Sequence, residues 1–298
     1  MKKGFVITAA IMTAAGLLLC TGALIAAGFD PARLDSAKYV TNTYAPEGVF
    51  DRIEISTKEG DILFKPAGDG RCTVVCVERE RMKHRVVIED GTLTISAEDE
   101  REWYDHLSLF SKHTSVTVYL PADRYESLTL RGSTGDVSLP DPFTFGQIDA
   151  AVSTGDITCA ASVEGLLRIR GSTGNVTLKD LSAGKTDIAL STGDVTLRDL
   201  DCQDLFVKSS TGEVKLKNVI AVQSLHIETD TGDVTFDSCD AGQIQVSVST
   251  GDVTGTLRSR KRFITKTSTG SVKVPDPSEG GRCEITTSTG DIEIEIKE

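Results

Sequence analysis

Aromatic residues are scarce in this chain. They make up 5% of it, with one Trp, which argues against a bulky globular core and for thin β-architecture. Histidine is scarcer still. His84, His106, His113 and His226 are the only four, and none stands beside a nucleophile with an orienting acid, so no hydrolytic triad is legible. A basic surplus is absent too. The formal net charge is −12, and since residues 1–29 hold Lys2 and Lys3 but no acid, the rest of the chain carries −14. A surface that acidic repels phosphate backbones and anionic headgroups, so nucleic-acid binding through bulk electrostatics is excluded. Cys and His show no clustered metal-ligand spacing. No cofactor is expected.

What the chain does have, first of all, is a long uncharged run. Phe5 to Phe29 is 25 residues without a charge, about enough helix to cross a ~30 Å hydrocarbon layer at ~1.5 Å per residue. Lys2 and Lys3 precede it, and positive flanks stay cytoplasmic. Residues 1–29 are therefore expected to be a single-pass membrane anchor, with the C-terminal part extracytoplasmic. The rival is a cleaved signal peptide, whose apolar core would run roughly 7–15 residues before an Ala-x-Ala-like site. This run is longer, and Ala26-Ala27-Gly28 is a poor site. Leu19 is too large for lipid modification of Cys20. Residues 30–48 read as a polar tether.

A second feature is self-similarity. A Ser-Thr-Gly-Asp tetrapeptide, or a close variant, recurs around Gly135, Gly155, Gly174, Gly193, Gly212, Gly232, Gly251, Gly270 and Gly290, always 19 or 20 residues apart. Apolar pairs keep register with each glycine. Val195/Leu197 follow Gly193 and Leu205/Val207 precede Gly212, and the same slots are filled throughout, with Val253/Gly255 the exception. Period-two spacing puts each pair on one strand face. The pattern predicts coils of two short strands joined by a glycine turn, which suits a residue that reaches positive φ without penalty. Stacked at ~4.8 Å per rung, nine coils spanning residues 122–298 would make a β-solenoid rod about 40 Å long.

Residues 49–121 are β-rich but irregular and read as an N-terminal cap continuous with the solenoid. Glu89-Asp90-Gly91-Thr92 marks a hairpin, and Lys58-Glu59-Gly60-Asp61-Ile62 is a degenerate copy of the repeat turn. At the far end Glu293, Glu295 and Lys297 alternate with isoleucines, charges expected to blunt an open sheet edge. Two segments carry a resemblance: Arg85–Ile95 as an upstream hairpin, and Val116-Thr117-Val118-Tyr119-Leu120-Pro121 leading into Leu128-Thr129-Leu130 and the first Ser-Thr-Gly-Asp. With the repeats they make roughly residues 45–298 resemble the bacterial β-strand-repeat "putative adhesin" family, a domain-of-unknown-function family. The resemblance implies an extracytoplasmic β-solenoid behind a membrane anchor. It supplies no residues of known function.

Four features of the sequence could carry chemistry. The cysteines fall in core or small-residue slots of the repeat, Cys159 and Cys283 in the apolar pairs, Cys239 beside Leu200 and Val219, Cys202 beside Ala183 and Ala221, so they read as buried free thiols. Asp136, Asp156, Asp194, Asp233, Asp252 and Asp291 should form a column, interrupted by Asn175, Glu213 and Ser271. Capping of turn amides is the favoured reading and a calcium ladder the alternative. A Thr column three residues after each glycine would suit ice binding, but Lys215, Lys273 and Glu293 break it. The irregular stretch Glu98–His113, with Trp103, Tyr104, His106 and His113, is the one place where a catalytic pocket could form. The expected function is a non-catalytic interaction or adhesion surface for a surface protein or glycan. A regulatory accessory of a membrane partner and a structural spacer are the alternatives.

Overall fold

The computed structural model describes residues 2–26, 28, 38–99, 113–121, 123–276 and 279–297. An N-terminal helix, α1, spans Lys2–Ala26. Among the described residues no helix is long and apolar enough to cross a membrane. Several side chains of α1, including those of Phe5, Val6 and Ile7, lie outside the described set. The expected anchor thus stands as a helix and no more. The tether expected over 30–48 also needs correction, because Tyr39–Tyr44 is a strand, β1.

The repeats build an all-β solenoid of about eight turns. Coils are named here by their corner glycine. In the stretch from Gly174 to Gly193, Val176 and Leu178 point inward, then Leu181 and Ala183, then Thr186, Ile188 and Leu190. The alternation slips phase at Lys179-Asp180, both exposed, and again after Ala183. Asp180 sits at φ 54, and its equivalents Asp199, Asn218 and Ser238 at 51, 52 and 57. Asn and Asp tolerate this left-handed corner better than most residues. Each coil therefore has three sides where two were expected, and the third carries the Leu181/Ala183 pair. Neighbouring coils superimpose slot on slot, as in Val176↔Val195, Leu181↔Leu200 and Ile188↔Val207. Burying one such Leu or Val contributes ~1.5–3 kcal/mol. A twentieth residue is absorbed at the third corner. Between the Gly193 and Gly212 coils and their neighbours the register jumps from Cys202↔Ala221 to Asp204↔Ser224, and Val222 protrudes, 61% exposed.

The glycine corner is set by contact between backbones. Gly193 has φ +136, and a Cβ there would lie 1.9 Å from the Gly174 carbonyl oxygen. Seven corners, Gly135, Gly155, Gly174, Gly193, Gly212, Gly232 and Gly251, stack in chain order. The column is extended before Gly135 by Gly60, which confirms the degenerate turn.

Order breaks at both ends. Strands β2 (Arg52–Glu59) and β3 (Asp61–Pro66) form the Gly60 coil. After them come β4 (Thr73–Arg79), β5 (Met82–Glu89), β6 (Thr92–Asp99) and β7 (Ser115–Leu120). The Gly60 coil is sandwiched, since β2 pairs in parallel with both β6 and Arg124–Thr134, while β3 pairs with β7 and Val137–Leu139. Outside β6 and β7 the direction reverses. β5 runs antiparallel to β6, β4 to β7, and β1 to β4. The few aromatics gather at this end, with Phe50 stacked on Tyr125 at 5.9 Å, Tyr125 against Phe145 at 5.7 Å, and Phe64 against Phe143 at 6.4 Å.

At the other end the Gly290 coil (Gly281–Thr289 and Ile292–Ile296) inserts between its predecessors. It pairs on one side with the Gly251 coil through Val246↔Ile285 and Val253↔Ile292. On the other it pairs with the Gly270 coil (Lys261–Thr269 and Val272–Lys273) through Phe263↔Cys283 and Val272↔Ile292. Glu293 is therefore covered by Lys273 rather than at the open edge, contrary to expectation, while Glu295 and Lys297 lie beyond that pairing, with a paired rung on the Leu257 side alone. The edge is the Gly270 coil, whose Lys266, Lys273 and Pro275 blunt it instead. Lys261 pins that coil. Its buried ammonium reaches Asp240 Oδ1 and the Ala241 carbonyl, each at 2.6 Å.

Candidate functional site

The acidic column forms as expected, and its hydrogen bonds run between rungs rather than within one turn. Asp136 Oδ1 accepts from the Asp156 amide at 2.8 Å, Asp156 from Asn175 at 2.7 Å, Asn175 from Asp194 at 2.9 Å and Asp194 from Glu213 at 2.8 Å. Asp233 accepts from Asp252, and Asp252 from Asp291, each at 2.8 Å. Asp291 accepts from Ser271 at 2.6 Å, so even the out-of-order coils keep the ladder. The Ser271 amide, then its hydroxyl, holds the Asp291 carboxyl below the usual carboxylate range. One oxygen of each of these carboxylates is committed to an amide. Among the described residues the column supplies no group of three closely spaced ligand atoms. That arrangement is capping.

Cys72, Cys76, Cys159, Cys202, Cys239 and Cys283 are free thiols, all but Cys72 buried. Burial pushes Cys159 up to about 12, and burial, aided by Asp204 and Asp201, does the same to Cys202. Thiols this far from ionising are poor nucleophiles. The catalytic pocket considered for Glu98–His113 falls on Trp103, Tyr104 and His106, which lie outside the described residues; His113 is exposed. His226 stacks on Phe206 at 5.1 Å and meets Glu228 at 2.9 Å.

A concave surface does exist, on the side that precedes the glycine corners. It is a groove of about 630 Å³. Ser133, Ser153, Ser172, Ser191 and Ser210 run along it, one per rung, and Lys58, Arg131, Arg170 and Lys208 line it, with no acid among its lining residues. Register explains the spacing. The column four before the glycine reads Arg131, Ala151, Arg170, Ala189, Lys208, so the last three cations recur every second rung, about 10 Å apart. The column beside it alternates Gly132, Val152, Gly171 and Leu190. A Cβ on Gly171 would lie 2.5 Å from Leu190 Cδ2, so the leucine occupies the space that the glycine leaves.

The cations are held from outside the groove. Arg131 Nη1 donates to the Asp149 carbonyl at 2.9 Å and to Asp149 Oδ1 at 3.1 Å. Arg170 Nη2 meets Asp187 at 2.7 Å and Lys208 meets Glu228 at 2.9 Å. Arg168 bridges Asp149 and Asp187 at 3.7 and 3.6 Å. His226 first, then Lys208, holds the Glu228 carboxyl low. A guanidinium has five N–H donors, and Arg131 uses only Nη1 in its described bonds. Such a surface can bind anionic groups in series. Arg131, Arg170 and Lys208 share one offset, four residues before the corner glycine, and that offset is the signal in the sequence that marks the groove.

Comparison with known proteins supports the fold. No curated protein matches the chain. A crystal structure named as a "putative adhesin" from Bacteroides fragilis is similar at TM-score 0.50 and 16% identity, covering 87% of this chain and 97% of that one. A "putative lipid binding protein" from Parabacteroides distasonis gives 0.53 and 16%, with 87% and 97% covered. A "putative adhesin" from the same species gives 0.52 and 12%, with 87% and 98% covered. At such identities the likeness speaks for architecture alone. The family model described as Toastrack DUF4097 matches residues 50–295, nearly the whole solenoid with its cap, and the chain belongs to that family.

Proposed function

We propose that this protein is a membrane-tethered, extracytoplasmic interaction module that binds without catalysis, and that its groove takes an extended anionic polymer such as an acidic glycan. The carrying observation is the groove itself: four cations and six serines with no lining acid, in a chain whose residues beyond 29 carry −14. Net charge disfavours anions at long range, while a local basic stripe selects them at contact. Regular spacing suits a repeating polymer better than a compact ligand. The tether reading rests on the uncharged run Phe5–Phe29 behind Lys2 and Lys3.

The test is binding of the full-length chain, in detergent, to acidic and neutral polysaccharides by biolayer interferometry. Acidic polymer should bind with a strong salt dependence. The triple variant Arg131→Ala/Arg170→Ala/Lys208→Ala should weaken it ~10-fold or more, about 1.4 kcal/mol. Equal binding of neutral polymer, or an unaffected variant, would refute the reading. Accumulation of cleaved polymer would refute its non-catalytic part.

A further inference from the structure

Beneath the N-terminal end lies a buried polar cluster that meets the groove at Thr57, which lines both. β4 turns Cys76 and Glu78 inward and β5 turns His84 inward; these are 0%, 0% and 4% exposed. Glu78 Oε2 accepts from the His84 amide and faces His84 Nδ1, both at 2.7 Å, while Asn42 donates to Oε1 at 2.6 Å. The Tyr44 hydroxyl lies close enough to Glu78 to feel its charge. On the far side of the ring, Nε2 lies 3.2 Å from Thr57 Oγ1. That hydroxyl donates its one proton to the Glu59 carbonyl at 3.0 Å, so it can only accept from Nε2–H. The ring nitrogen left facing Glu78 is then Nδ1. A lone pair there would oppose a carboxylate oxygen at 2.7 Å, so either a proton or a metal ion must hold the two together.

Cys76 indicates which cation. Its Sγ, Glu78 oxygen and His84 Nδ1 all lie within 4.8 Å of one another, the one such group among the described residues. A zinc-class ion lies ~2.0–2.3 Å from each ligand, so bound ligands fall within about 4.6 Å of one another, and the three would draw in slightly to share one ion. Among the described residues, Cys76 Sγ makes no hydrogen bond, unlike Cys159 and Cys239. We propose that Cys76, Glu78 and His84 form a structural site for a thiophilic divalent cation. Zinc fits the mixed S, N and O donors best. Thr57 fixes the tautomer that frees Nδ1, and Asn42 orients the carboxylate, the outer-shell support such ligands carry. The ion would displace the thiol proton and the proton between Nδ1 and Oε2, and thiolate, carboxylate and divalent ion together are neutral in a dry interior.

Position supplies a reason for the site. Backbone pairing between β4 and β5 is confined to Arg79↔Met82, after which β4 joins β7 on one side of the coil and β5 joins β6 on another. An ion at Cys76, Glu78 and His84 would clamp two strands that the sheet leaves to diverge.

The test uses the full-length chain in detergent, stripped with chelator and titrated with Co²⁺ as a spectroscopic stand-in for zinc. Stoichiometric binding with a thiolate-to-cobalt charge-transfer band is expected, together with a raised melting temperature. Cys76→Ser should abolish the band and weaken binding ~10-fold or more, while Cys72→Ser keeps both. A folded wild-type chain that shows no band, or a band that survives Cys76→Ser, overturns the proposal. Should Cys76→Ser and Cys76→Ala both fail to fold, the wild-type titration alone decides.

Discussion

The two ends of the stack meet the same difficulty with different means. Each exposes a rung whose backbone groups would pair with another chain. At the N-terminal end the sheet changes direction. β5, β4 and β1 lie antiparallel over the last parallel rung, aromatic rings fill the space behind, and Glu78 gathers His84, Asn42 and Tyr44 beneath them. At the C-terminal end the Gly270 coil stays parallel and uncovered, with Val272 44% and Ile264 46% exposed. Its defence is Lys266, Lys273 and Pro275, and its attachment is the Lys261 ammonium on Asp240. One end is closed by packing and the other is guarded by charge, so the first should fail by unfolding and the second by sticking.

The largest expected effect lies between the ends and sets their scale. Gly193→Ala places a Cβ against the Gly174 carbonyl at φ +136 and should cost about 4 kcal/mol or more. Urea unfolding would measure it. Gly270→Ala, in a coil with a neighbour on one side only, should cost clearly less; equal losses would mean that the open end is as tightly fixed as the middle. Next comes Glu78→Ala. It leaves the buried His84 and the half-buried Asn42 without their acceptor and should lower stability by about 3–5 kcal/mol, with β1, β4 and β5 losing hydrogen-exchange protection first. Loss spread evenly along the solenoid would refute the idea of a separately knit cap.

Lys266→Val/Lys273→Val should barely move the unfolding midpoint, since Lys273 gives up only a solvent-screened pair with Glu293. It should instead turn monomers into larger species by size-exclusion chromatography. Unchanged elution would show that charge is not what guards this edge. The smallest effect is acid sensitivity of the ladder. The Asp291 carboxyl is held low by Ser271, so its contribution is complete above the ordinary value of about 4 and fades as pH falls through the lower folded value. Asp291→Asn should flatten that part of the pH–stability curve.

Much of the middle was legible because one constraint repeats. The glycine must meet a carbonyl, and apolar slots at fixed offsets then follow, down to the degenerate Gly60 turn. The third side was half visible in the Leu181, Leu200 and Val219 slot, but Asp180 at positive φ was not recognised as a corner. Coil order was illegible for a physical reason. Every coil carries the same slots, so the Gly290 coil fits against the Gly251 coil as well as the Gly270 coil does. The Cys76, Glu78 and His84 cluster was missed because an antiparallel hairpin makes neighbours that no repeat offset reveals.

The displaced Gly290 coil bears on how this molecule is made. Chains emerge from the ribosome N-terminus first. The Gly251 and Gly270 coils are therefore synthesised before residues 281–296, yet in the finished protein those residues lie between them. Growth by adding each new coil to the last, which serves from Gly135 to Gly251, cannot complete this end. The Gly270 coil must wait unpaired, or pair provisionally and let go, until the strand that separates it from its predecessor arrives. The stack is finished by an insertion, and a ribosome-stalled chain ending before Gly281 would carry a different edge from the one the mature protein presents.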